Sequence, residues 1–416
     1  MRFGIWKESI TPEYPVWLEG QNSRTHKSEG ILDKVYVTGI VIEDEEDHLL
    51  SLLSYDLVEL DRGFSDELIK AVKENCEIEN VITSFTHTHS APSLQTDPVW
   101  SVHYAPEETV SYREEIKDRS ILCIRKAKQQ LADCEVYFAK KKIDGIYSCR
   151  SDIRIEGDKD FFVIQFKNGE NVLGNLVQFA CHGTILGPEN YLISSDLQGR
   201  VRDFFNETYG GEAYVMQGAA GDMGNRQYRK GNDEKELIRT AKELCDQLKD
   251  LSFEKLDIRK MKIRSYSYGM NYDFDLKDIE KRFRKNKETI FKLDPDIPSE
   301  KDQIKLLETE QIWYSHLLKN RIDQGSLMFD GWIIDMKELI IVTAPCELSS
   351  VFAIRIKEAF KNKRLIVWPY TYYSNGYLIQ KEEFGKSFES SLSMMRAGQA
   401  EEYCDHLISL LRKEIG

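Results

Sequence analysis

No apolar run in the 416-residue chain approaches the roughly 20 residues that a membrane-spanning helix needs, so stable membrane insertion is excluded. The opening MRFGIWKESITPEYP carries no apolar h-region, and the expected compartment is the cytoplasm. Positive charge is also in short supply. With 57 Lys and Arg against 70 Asp and Glu the net charge is -13, and no local basic stripe with interleaved aromatics compensates, which excludes nucleic acid as a partner. The eight cysteines, at positions 76, 123, 134, 149, 181, 245, 346 and 404, never fall into C-x-x-C spacing. In a reducing compartment they are expected to be free, buried thiols. There is no internal repeat and no low-complexity linker, so residues 1–416 are expected to form one domain.

What is present is an ordinary globular composition, 41% hydrophobic and 31% charged, enough to bury a full core. The β-branched run Lys34 to Ile42, the acidic turn after it and the run LLSLLSY predict a hairpin ending at Asp56. Helical spacing follows in residues 61–77 and 106–135. The strands FFVIQF and NVLGNLVQFA meet at Asn168-Gly169, a strong two-residue turn signal. Ser194-Ser195-Asp196 reads as a helix N-cap, residues 234–251 as a helix and residues 254–268 as one strand. Residues 277–320 read as a charged helical insertion with a solvated face, flanking the sheet as an insertion or lid. LIIVTAP and RLIVWPY are the last strands. The fold class is therefore α/β: a mixed β-sheet core flanked by helices, with a helical insertion and a metal site at strand ends.

That site starts from VITSFTHTHSAPS. Val81 and Ile82 end a strand, and Thr86 to Ser90 is a polar run that core packing would not choose. In an extended chain His87 and His89 point to the same side, and neutral imidazole is a good ligand for zinc. Taken alone, the pair reads equally as two solvated histidines. Further polar groups stand at other strand exits: His182 after NLVQFAC, Glu347 after LIIVTAPC, and Tyr377 after the last strand. In an open α/β sheet ligands gather outside the carboxyl ends of strands, and two or three imidazoles with one carboxylate form a common catalytic zinc set. Glu347 alone would also read as a first-turn acid favoured by the helix dipole, and Tyr377 as packing. Asp196 reads as a structural cap and Asp56 as a carboxylate that orients a histidine. His26, His48, His103, His316 and His406 read as surface or core.

Five motifs in order resemble the neutral, non-lysosomal ceramidase family over most of the chain. HTHSAPS is similar to its HTHSGP motif, NLVQFACHGT to its strand-to-histidine motif, SSDLQG to its SSDxxG segment, APCE followed by LSS to its PGE motif, and SNGYLIQKEEF to its Asn, Tyr and EEY segment. ITP near residue 10 also fits the family's entry segment. The resemblance implies one zinc held by His87, His182, Glu347 and Tyr377, with His89 and Arg150 lining the substrate side. The chain departs from the pattern in two places. Gly224, in the segment Gly221-Asp222-Met223-Gly224-Asn225, stands where the family has its serine, and Phe388 stands nearest to a family tyrosine. The family's β-rich C-terminal domain and secretory signal are also expected to be lacking.

The chemistry that survives these changes is water attack assisted by zinc, which requires no side-chain nucleophile. His89 or Asp222 would take the proton, Arg150 would stabilise an oxyanion or grip a substrate carboxylate, and Gly224 and Asn225 would adjoin the substrate. The expected activity is zinc-dependent cleavage of a small, polar, linear amide rather than membrane ceramide. The alternatives are a zinc-dependent esterase or phosphoesterase, and a catalytically degenerate zinc-binding protein. The sequence leaves a homo-oligomer open.

Overall fold

The computed structural model describes residues 1–96, 106–152 and 154–415; His103 lies outside them. The β-branched strand Tyr36–Glu43 pairs antiparallel with Arg2–Ser9 on one side and Leu49–Tyr55 on the other, the hairpin expected over the acidic turn. Helix α1 (Arg62–Cys76) then buries Phe64, Leu68 and Val72, with the Asp61 carboxylate accepting from the Phe64 N–H as its cap. The chain returns as Asn80–Phe85, parallel to Leu49–Tyr55. Helix α2 (Pro106–Gln129) covers this sheet and buries Ile116, Cys123 and Ile124.

A second sheet runs in the order Glu212–Gln217, Asn171–Phe179, Asp160–Asn168, Glu135–Lys142, Glu254–Leu256. Asn168-Gly169 makes the expected turn, with Gly169 at φ 58°. Helix α3 (Asp196–Thr208) crosses from Asn171–Phe179 to its parallel neighbour Glu212–Gln217, and α4 (Glu234–Gln247) packs on α3. The third sheet holds Lys262–Asp273, Gln324–Asp335, Leu339–Thr343 and Arg364–Trp368. Its first two strands are joined by α5 (Leu276–Ile290) and α6 (Pro298–Asn320), the charged insertion. Helix α7 (Ser350–Ala359) links the parallel pair Leu339–Thr343 and Arg364–Trp368, and α8 (Phe388–Leu392) and α9 (Gln399–Ile415) follow.

One expectation fails. Residues 254–268 are not a single strand: Glu254–Leu256 edges the second sheet and Lys262–Asp273 belongs to the third. The break lies where the chain is fastened to the acidic turn of the first sheet. The Met261 N–H donates to the Asp44 carboxylate at 3.0 Å, and the Glu45 N–H donates to the Arg259 carbonyl at 3.0 Å.

The three sheets share apolar core. Ile40 and Ile82 of the first, Phe166 and Tyr214 of the second, and Ile341 and Trp368 of the third belong to one buried cluster, with Phe3 stacked on Phe166 at 4.0 Å. Each sheet also contributes one parallel strand–helix–strand unit. His87, His182 and Glu347 each lie just beyond the exit of a strand from one of these units. No described helix is long and apolar enough to cross a membrane.

Candidate metal centre

The exits are laced together by main-chain bonds. After Phe85 the His87 N–H donates to the Leu57 carbonyl at 2.9 Å and the residue takes φ 62°, so the chain is not extended there as the sequence suggested. Both rings nevertheless enter one space, because Thr88 bridges in parallel to Gly183 and the His89 N–H donates to the Gly183 carbonyl at 2.9 Å. That bridge sets His182 against His87. Glu347 and Tyr377 arrive together on a two-residue parallel ladder, and the Phe85 N–H, donating to the Tyr370 carbonyl at 3.1 Å, ties the third sheet to the first.

Hydrogen bonding fixes one proton on each of the three imidazoles. Nδ1 of His87 lies 2.7 Å from the Val58 carbonyl, Nδ1 of His182 lies 3.1 Å from the Ala220 carbonyl, and Nδ1 of His89 lies 2.9 Å from the Gly20 carbonyl. A carbonyl only accepts, so each Nδ1 carries a proton and each ring turns its Nε2 inward. Those nitrogens converge: His87 Nε2 is 3.0 Å from His182 Nε2 and 3.2 Å from His89 Nε2. Glu347 Oε2 stands 3.1 Å from His87 Nε2 and 3.9 Å from His182 Nε2, is buried and has no hydrogen-bond donor. Burial, with the Arg150 charge added, holds the His182 pKa well below the usual histidine value; burial and the neighbouring His87 do the same for His89. Two imidazoles held neutral by burial and an unpaired buried carboxylate thus face one point beside His87, and a cation there would satisfy them together. The residues present fit a divalent metal of the zinc type, and the three histidines alone bring their ligand atoms within 4.8 Å of one another. All three also carry the outer bond that orients a metal-ligating imidazole.

The structure places the other sequence candidates as follows. Tyr377 lines the same cavity as His87 and Glu347, and the Arg150 guanidinium lies 6.0 Å from its ring centroid. His89 is not set apart on a substrate wall: it joins the imidazole cluster itself. Arg150 is buried in an ion pair with Glu389 at 2.6 Å and donates to the Gly221 carbonyl at 2.6 Å, so it is not a free grip for a carboxylate. Asp222 faces away as a base. Its carboxylate accepts from the Ser350 N–H at 2.6 Å and the Ser350 hydroxyl at 3.0 Å, although burial raises its pKa to about 6. A Cβ on Gly224 would stand 3.2 Å from Arg150 Cγ and Cδ and 3.8 Å from His182 Cβ, which puts this position beside the cluster. Asn225 is buried with its Nδ2 unpaired and, like Arg150, Asp222 and Gly224, does not line the cavity that opens onto Glu347. Asp56 orients no histidine; it is ion-paired to Arg202 at 2.5 Å. Asp196 is more than a cap. At φ 53° its carboxylate receives the N–H groups of Ile185, Leu186 and Leu197, fixing the loop that follows His182.

Sequence reasoning missed several residues. The cavity beside the cluster, about 120 Å³, is also lined by Glu19, Glu59 and Thr309. The Gln95 amide donates to Glu19 at 2.7 Å and to Glu59 at 2.9 Å. Behind His89, the buried Arg24 guanidinium donates to the His89 carbonyl at 2.8 Å and the Glu19 carbonyl at 3.2 Å. The available signals were an acid next to Gly20 in WLEGQNSR and an acid three residues past Asp56 at a strand exit.

Residues 3–221 match the family model for the N-terminal domain of neutral/alkaline non-lysosomal ceramidase. The chain belongs to this family. Neutral ceramidases of Drosophila pseudoobscura pseudoobscura and Drosophila melanogaster are each 25% identical over 222 residues, covering 48% of this chain and 31% of their own length. The chain thus spans about a third of the length of these relatives. The neutral ceramidase of Pseudomonas aeruginosa superposes with a TM-score of 0.73 at 17% identity, over 98% of this chain and 73% of that one. A ceramidase complexed with C2 superposes with a TM-score of 0.68 at 15% identity, over 99% and 75%. At such identities the structural likeness is one of fold. His87 and His182 fall inside the ceramidase match, whereas Glu347 and Tyr377 lie beyond residue 221 and reach the site through the third sheet.

Proposed function

We propose that this chain is a zinc-dependent hydrolase that cleaves the amide bond of a small, polar N-acyl substrate. The observation that carries the reading is the convergence of three imidazole Nε2 atoms and the unpaired Glu347 Oε2 on one buried point beside a cavity. His87, His182 and Glu347 hold the metal, with Tyr377 as the fourth ligand. Zinc, when bound, supplies Lewis acidity toward a carbonyl oxygen and toward water. His89 accepts the proton at Nε2, since its Nδ1–H is committed to Gly20, and returns it to the leaving nitrogen. Arg150 acts through position: paired with Glu389, it holds α8 and Tyr377 in place rather than meeting an oxyanion. The cavity of about 120 Å³ suits a small substrate, with the two glutamates supplying polar contacts beside the apolar Val58, Phe388 and Leu392.

The test combines metal analysis of the purified chain with a screen of N-acyl amides, esters and phosphoesters. One zinc per chain and chelator-sensitive amide turnover are expected, with both lost in His87→Ala and in Glu347→Ala. Full activity in those variants would refute the zinc mechanism. Zinc binding without turnover of any amide, ester or phosphoester would point to the degenerate reading.

A further inference from the structure

Among the described residues, the charged side chains that line the cavity at the metal centre are all carboxylates: Glu19, Glu59 and Glu347. Glu347 belongs to the metal. The other two form no ion pair among the described residues. The guanidinium groups around the cavity make their bonds elsewhere, Arg24 to the main-chain carbonyls of Glu19, His89 and Asn190, Arg113 to Asp61 and the Leu94 carbonyl, and Arg150 to Glu389 and the Gly221 carbonyl, and Arg113 reaches Glu19 only through its charge. Among the described residues, the hydrogen-bond donors to Glu19 and Glu59 are neutral. The single Gln95 amide bridges them, the Leu94 N–H donates to the second oxygen of Glu19 at 3.3 Å, and Ser374 bonds Glu59. Two buried carboxylates sharing one neutral donor destabilise each other. Burial pushes the Glu19 carboxyl up to about 7, and burial together with Glu19 and Glu347 pushes Glu59 up as well. Glu347, whose buried Oε2 has no hydrogen-bond partner, lines the same cavity. Val58, Phe388 and Leu392 add short apolar surfaces to the lining.

We infer that Glu19 and Glu59 form a subsite for an organic cation, so that the substrate is an amide carrying an ammonium or amidinium group a few methylenes from the scissile bond. The inference rests on reading the cavity as the substrate site of the proposed hydrolase. The amide is presented at His87, His182 and Glu347, the aliphatic spacer lies along Val58 and Leu392, and the cation sits between the two glutamates. Gln95 holds the pair at a common distance, leaving carboxylate oxygen free to accept from the ligand. A second metal fits this end poorly: among the described residues, the histidine trio is the cluster with metal-ligand spacing.

The experiment is calorimetric titration of the zinc-loaded full chain with n-butylammonium, n-butanol and butyrate, with Glu19→Gln and Glu59→Gln variants beside the natural chain. The ammonium is expected to bind at least tenfold more tightly than the isosteric alcohol, butyrate not to bind, and the preference to fall at least tenfold in either variant. Equal binding of ammonium and alcohol by the natural chain overturns the inference, whether or not the variants fold. Ammonium binding that survives in both variants overturns it too. Because the readout is binding, absence of amide turnover would count against the proposed reaction and leave this result standing on its own.

Discussion

Gly20 shows how closely the third imidazole is held. Its carbonyl takes the His89 Nδ1 proton, its φ is 90°, and a Cβ added there would stand 2.2 Å from that same Nδ1. Gly20→Ala must therefore move either the loop or the ring. The expected outcome is a loss of about 1–3 kcal/mol in urea unfolding and amide turnover lowered by roughly 100-fold with the zinc retained, measured by a turnover assay beside metal analysis. Gly224 is the gentler case. A serine Cβ there meets Arg150 at 3.2 Å, a contact that a small shift relieves, and brings a hydroxyl beside His182. Gly224→Ser should cost about 1 kcal/mol and keep its zinc; loss of the metal in mass spectrometry would show that the glycine is needed for the cluster itself. The same scale separates what the sequence tells from what it hides. His87, His182, Glu347 and Tyr377 are legible because each follows a strand within a motif. Glu19, Glu59 and Arg24 are single polar residues in loops, and they acquire meaning only when Gln95 and His89 reach them from 76, 36 and 65 positions away.

At the scale of elements, the insertion α5–α6 is where surface composition misleads. Its charges read as a solvated face, and for most of its length they are. Trp313, Tyr314 and Leu317 are nonetheless buried, and they pack with Ile279 against Tyr377, Ile379 and Leu392, while Thr309 reaches the cavity. Three residues within one helical turn make a contact too short to stand out as a period in a 23-residue helix. The insertion therefore braces the tyrosine proposed as a zinc ligand. Leu317→Ala should leave a void costing about 2–5 kcal/mol and release the hairpin before the sheets. Hydrogen exchange should then rise across residues 276–320 and at Tyr377 while the strand Asn80–Phe85 stays protected. Uniform deprotection would mean that the insertion unfolds only with the whole. The sheet exits, by contrast, were legible as a class, since alternating strands and helices already imply parallel pairs whose ends gather ligands. Which exits meet was not legible, because the Thr88–Gly183 bridge joins loops of two different sheets.

For the molecule as a whole, the buried acids and the buried histidines set opposite limits on stability. Glu19 titrates near 7 in the folded chain and Asp196 near 6, both raised by burial from ordinary carboxyl values. A raised carboxyl favours folding while protonated, so its contribution is complete below the unfolded value of about 4 and is lost as pH climbs through 6 and 7. His89 and His182 are shifted the other way, held neutral by burial. Their contribution is complete above the unfolded histidine value of about 6.5 and declines as pH falls below it. The net charge of -13 adds self-repulsion that grows with pH. Between pH 8 and 6.5 every one of these changes favours the folded state on acidification, and below 6.5 the histidines begin to oppose it. Urea unfolding of the metal-free chain at a series of pH values should therefore show stability rising as pH falls from 8 to 6.5 and levelling off below it, where the histidines oppose the buried carboxyls Glu19, Glu59, Asp196 and Asp222. Glu19→Gln should flatten the alkaline side of that curve and leave the acid side in place. A curve that rises steadily from pH 6.5 to 8 would rule out buried carboxylates as the governing groups.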